Sequence, residues 1–63
     1  MNTELTLLKQ KREYLKLKLN VNDQLIIAIL VNDHDKEAEL RQLLKEIDNE
    51  IGTIDKLIKI MNI

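Results

Sequence analysis

The chain has no cysteine, serine, proline, phenylalanine or tryptophan, and one glycine, one histidine and one tyrosine among 63 residues. Each absence removes a class of protein. Without cysteine there is no disulfide framework, no thiolate-ligated zinc and no thiol nucleophile, and without serine there is no serine nucleophile. A single glycine leaves no glycine-rich phosphate loop. Tyr14 is the one side chain that could stack on a base. Long apolar runs are missing too. The longest, Leu25 to Val31, has seven residues, against roughly 20 for a membrane-spanning helix. The opening Met1-Asn2-Thr3-Glu4 lacks the basic lead and small-residue cleavage site of a secretory signal, so a cytoplasmic location is the expectation.

What is present is aliphatic and charged. Hydrophobic residues make up 44% and charged residues 33%, and Leu, Ile and Val supply 23 positions. That is too apolar for a disordered segment. The length allows one domain, residues 1–63, with no internal repeat or linker. A chain this short rarely buries enough core to stand alone without a metal, disulfides or a partner.

The second half carries the clearest periodicity. Leu40, Leu44, Ile47, Ile51, Ile54, Ile58 and Met61 follow gaps of 4, 3, 4, 3, 4 and 3, an unbroken heptad seam. Leu43 and Leu57 broaden it on one shoulder, and Glu37→Arg41 and Asp55→Lys59 have the favourable i,i+4 spacing. Ahead of it, Asn32-Asp33-His34-Asp35 reads as a turn and helix N-cap, and Glu37 and Glu39 suit the helix dipole. The spacing predicts a helix over about 34–61. Gly52 lies off the seam and reads as a tolerated soft spot, the alternative being a break with Thr53 capping a last short helix.

The first half supports two readings. As a helix over about 3–31, opened by Thr3-Glu4, it shows two apolar rows. Leu5, Leu8, Leu15, Leu19, Ile26 and Ile29 keep heptad spacing, with Arg12 and Asn22 in the intervening slots. Leu7, Tyr14, Leu17, Val21, Leu25 and Ala28 run along a neighbouring face. Arg12 reads as a rim residue, and Asn22, beside Asp23, as a local irregularity. The competing reading is a β-hairpin over 15–31: Leu15 to Asn22 alternates strictly, and a turn at Asn22-Asp23-Gln24 would pair Val21 with Leu25 and Leu15 with Val31. Leu and Lys are better helix than strand formers, and the turn contains no glycine, so the helix is preferred.

The predicted fold class is therefore all-α: an antiparallel αα-hairpin of two helices joined by a turn at 32–33. The α+β alternative would be the 15–31 β-hairpin followed by a long helix. Two helices cannot enclose a core, so dimerisation into a four-helix bundle is expected, an architecture shared by ROP-type dimeric hairpins without any sequence match to them. The expected self-association seam is Leu40, Leu44, Ile47, Ile51, Ile54 and Ile58 with Leu15, Leu19 and Ile26. The second row of the first helix supplies the candidate surface for a protein partner: Leu17, Val21 and Leu25, with Ile27 and Val31.

Chemistry is sparse. Asp33, His34, Asp35 and Glu37 could suggest a metal site, but the EF-hand pattern fails for want of its glycine and its twelfth-position glutamate, and a solvated turn with capping aspartates explains them. No carboxylate or lysine falls on the second-half seam, where burial could shift a pKa. We therefore expect no enzyme, no cofactor, no metal and no small-molecule substrate. Charge is more informative. Residues 1–22 set Lys9, Lys11, Arg12, Lys16 and Lys18 against Glu4 and Glu13, a net +3. Residues 23–55 carry −6 and residues 56–63 carry +2, within an overall −1. An antiparallel hairpin would gather the basic segments at its open end. The function expected is a small non-enzymatic regulator, adaptor or inhibitor of phage or plasmid type, acting by protein–protein binding. The alternative is a ROP-like nucleic-acid-binding regulator using those five cations, although they form no single stripe on a helix and the overall balance is slightly acidic.

Overall fold

The computed structural model describes residues 2–62 and consists of two helices, α1 over Thr3–Leu30 and α2 over His34–Met61. No strand occurs among the described residues. Residues 15–30 are continuous helix, so the β-hairpin alternative is not what the chain forms. Alternating Leu and Lys satisfies a strand pattern locally, but the same residues are strong helix formers, and the helical seams persist over a longer span. Asn22, expected to mark an irregularity, lies inside this unbroken run.

Both helix starts are capped by short polar side chains. Asn2, not the expected Thr3, caps α1: its Oδ1 accepts from the Leu5 amide at 3.1 Å. Asp33 caps α2 and accepts from the Lys36 amide at 3.1 Å, with Asp35 and Glu37 in the first turn, where the dipole favours them. Glu37 also accepts from Arg41 at 3.1 Å, the i,i+4 pair expected from spacing. Asp55 instead pairs with Lys11 of α1 at 2.7 Å.

The reversal between the helices is compressed into three residues. Asn32 adopts φ 57°, in the left-handed region. Its amide donates to the Ile29 carbonyl at 3.2 Å, and the Asp33 amide donates to Ala28 at 2.9 Å. Those two bonds make a Schellman closure with asparagine where glycine is usual. Asp33 closes α1 with its amide and opens α2 with its carboxylate, so no slack remains and α2 must return antiparallel.

The core lies between the helices. Val21, Leu25 and Ala28 of α1 pack with Leu40 and Ile47 of α2, and Tyr14, Leu44 and Ile51 flank them. Ile54 is buried further toward the open end. Gly52 sits inside continuous helix, and the Thr53 hydroxyl donates to the Asn49 carbonyl at 3.1 Å, so no new helix begins there. The molecule measures 46 × 15 × 12 Å with a radius of gyration of 14.7 Å, against about 11 Å for a compact domain of this length. It is a rod two helices thick.

Candidate functional site

The heptad seam of α2 faces α1: Leu40, Ile47 and Ile54 are buried, and Leu44, Ile51 and Ile58 are half-buried. On α1 the inward row is Leu7, Lys11, Tyr14, Lys18, Val21, Leu25 and Ala28, with gaps of 4, 3, 4, 3, 4 and 3. The two lysine slots are closed from the other helix. Lys11 Nζ lies 2.7 Å from an Asp55 oxygen, and Lys18 Nζ lies 2.7 Å from Asp48. The lysines are seven residues apart, and so are the aspartates, so both bridges obey one antiparallel register. The aliphatic stems lie along the seam while the ammonium groups reach its edge.

This corrects part of the sequence reading. Val21 and Leu25, expected on a partner-binding surface, are core residues of the hairpin itself. Of the expected self-association seam, the α2 residues face α1 of the same hairpin, whereas Leu15, Leu19 and Ile26 lie on a separate, exposed face of α1. Leu5, Leu8, Leu15, Leu19, Ile26 and Ile29 are each between 43% and 69% exposed. Of the other partner-binding candidates, Leu17 is exposed beside Tyr14, Ile54 and Leu57 in an open groove of about 610 Å³ near the chain ends. Ile27 and Val31 are exposed beside the interhelix turn, where they border a shallow depression with Lys36.

The sequence of α1 by itself does not distinguish the two rows, because each is interrupted by two polar residues, Lys11 and Lys18 in the inward row and Arg12 and Asn22 in the outward one. The matched seven-residue spacing of Lys11 and Lys18 with Asp48 and Asp55 was the signal available. It required pairing the two halves in register.

The cationic candidates divide between two faces of α1, with Lys11 and Lys18 on one and Lys9, Arg12 and Lys16, spaced i, i+3 and i+7, exposed on the other. Lys11 and Lys18 are held across the seam, and Lys16 lies 3.6 Å from Glu13 on its own helix. Lys9 borders the Leu17 groove, and Arg12 is exposed within the outward apolar row. The five do not gather into one patch. Among the described residues no three His, Asp or Glu side chains converge as metal ligands, and none of the described helices is long and apolar enough to cross a membrane.

The dominant surface feature is therefore the outward row of α1. The accessible surface is 5083 Å² for a 7.4 kDa chain, whereas a monomeric globular protein of that mass exposes about 4200 Å². The excess, about 900 Å², is close to the roughly 800 Å² each partner contributes to a standard interface. Comparison with protein-family models, curated proteins and solved structures finds no match to this chain.

Proposed function

We propose that this chain is a small non-enzymatic regulatory or adaptor protein that acts by protein–protein binding through apolar helical faces. The observation that supports this reading is the outward row from Leu5 to Ile29, a second heptad seam on a helix whose first seam is already occupied. Contiguous apolar surface on a rod this thin is costly to leave wet and fits a helical partner. Three of the five cations already face carboxylates, Lys11 and Lys18 across the seam and Lys16 on its own helix, which makes the nucleic-acid alternative the weaker one.

The test uses Leu19→Glu with Ile26→Glu. Both positions are exposed in the hairpin, so helicity by circular dichroism should persist. Protein association, read by sedimentation and by retention of macromolecules from the native host, should be lost. Unchanged association would remove the row from the function. Retention of RNA or DNA that falls steeply with salt would favour the nucleic-acid alternative.

A further inference from the structure

The outward row is symmetric about its own middle. Its eight positions are Leu5, Leu8, Arg12, Leu15, Leu19, Asn22, Ile26 and Ile29, with gaps of 3, 4, 3, 4, 3, 4 and 3. Read from either end, the polarity runs apolar, apolar, polar, apolar, apolar, polar, apolar, apolar. From this we infer that the row is covered by the same row of a second copy, with the two α1 helices antiparallel about a two-fold axis between Leu15 and Leu19. The inference rests on the reading that this flank binds protein, and names the protein.

In that register Leu5 meets Ile29 of the second copy, Leu8 meets Ile26, Leu15 meets Leu19, and Arg12 meets Asn22. A two-fold interface makes each pairing occur twice, since residue i meets j and j meets i. Antiparallel helix pairs also place the first apolar position of one heptad against the fourth position of the other. The pairs named here obey that rule at all four layers.

Arg12 decides the orientation. In a parallel pair, Arg12 would face Arg12 inside an apolar seam, setting like charges together with no acid between them. In the antiparallel pair, each guanidinium finds the Asn22 side-chain oxygen of the other copy, an acceptor that cannot be repelled. Neither Arg12 nor Asn22 has a side-chain partner among the described residues of the hairpin. At the rim, Lys9 comes near Asp23 of the second copy, and at the axis Lys16 comes near its own counterpart, each beside the Glu13 of its own helix and outside the apolar seam.

The arrangement also fits the hairpin already formed. The outward positions Leu8, Leu15, Asn22 and Ile29 each follow by one residue the inward positions Leu7, Tyr14, Val21 and Ala28. One residue turns an α-helix by about 100°, close to the angle between two neighbours of one helix in a square of four. Each α1 thus has its own α2 on one side and the second α1 a quarter turn away. The surface in excess of a compact monomer's, about 900 Å², is of the order that one partner contributes to a standard interface.

Absence of native cysteine makes the register directly readable by cross-linking. Leu8→Cys and Ile26→Cys are prepared separately, at positions 46% and 50% exposed, so the hairpin tolerates both. In the antiparallel register, residue 8 lies against residue 26 of the second copy, whereas the two copies of residue 8 are roughly 27 Å apart at 1.5 Å per residue. Oxidation of an equimolar mixture should therefore give the mixed disulfide, with each variant alone linking at least about tenfold more slowly.

A companion pair tests the polar layer. Asn22→Arg alone should raise the dimer dissociation constant by about tenfold or more. Adding Arg12→Asn swaps the layer and should return it to within about threefold of the native value, with helicity unchanged throughout. Rapid linkage of Leu8→Cys to itself would overturn the antiparallel register, as would failure of the swap to restore association. A monomeric mass with no cross-linking would overturn the second copy as occupant, while leaving the apolar flank available to a different protein.

Discussion

Gly52→Ala isolates the backbone of α2 from every other effect. Gly52 lies in the middle of a continuous helix, its φ is not positive, and a methyl group built on it meets nothing within 4 Å. Alanine therefore adds no clash, and the change removes the entropic penalty of glycine in a helix interior, about 0.8–1 kcal/mol. Unfolding entropy near 2.1 cal/mol/K per residue comes to about 0.13 kcal/mol/K for this length, so the midpoint should rise by about 6–8 °C. A two-fold dimer gives the same shift, because gain and entropy both double. The assay is thermal unfolding by far-ultraviolet circular dichroism at fixed chain concentration, since an associating chain melts at a concentration-dependent temperature. An unchanged or lowered midpoint would refute the reasoning: it would mean that α2 is interrupted at Gly52, or that another helix approaches so closely there that a methyl group cannot fit.

Further substitutions probe the other supports. Ile47, 3% exposed at the centre of the core, should lose about 2–5 kcal/mol on change to alanine; total stability for this length is of order 3–9 kcal/mol, so helical signal should fall sharply. Leu19→Ala, at 69% exposure, should leave helicity near native in the same measurement. Asn32→Val places a β-branched residue at φ 57° and should cost about 1–2 kcal/mol, whereas Asn32→Gly should be neutral or mildly stabilising, both read by urea denaturation. A double-mutant cycle on Lys18 and Asp48, about half exposed and 2.7 Å apart, should give a coupling of about 0.2–1 kcal/mol that shrinks with salt; a larger, salt-insensitive coupling would mean that the pair is covered by another chain.

The two helices, the turn and the α2 seam were legible because each rests on local information. The α2 heptads run unbroken from Leu40 to Met61, and Asn32-Asp33 has the residue types that a left-handed closure and an N-cap require. The assignment of rows on α1 was not legible from α1, and the reason is physical. Its outward row contains two polar interruptions, Arg12 and Asn22, and its inward row also contains two, Lys11 and Lys18. Hydrophobic patterning alone ranks them nearly equal. What separates them is a partner on the other helix: Asp55 and Asp48 meet Lys11 and Lys18 at 2.7 Å, while among the described residues no α2 side chain makes a hydrogen bond or ion pair with Arg12 or Asn22. The same logic carries beyond the single chain. An interruption in a seam is tolerated where the facing surface supplies its complement. For the inward row that complement is α2; for the outward row, the facing surface must offer an acceptor to Arg12 and a donor to Asn22 at matching heights. The row's own reversed image offers both, so the polar slots that made α1 ambiguous as a sequence are also the features that specify what should lie against it.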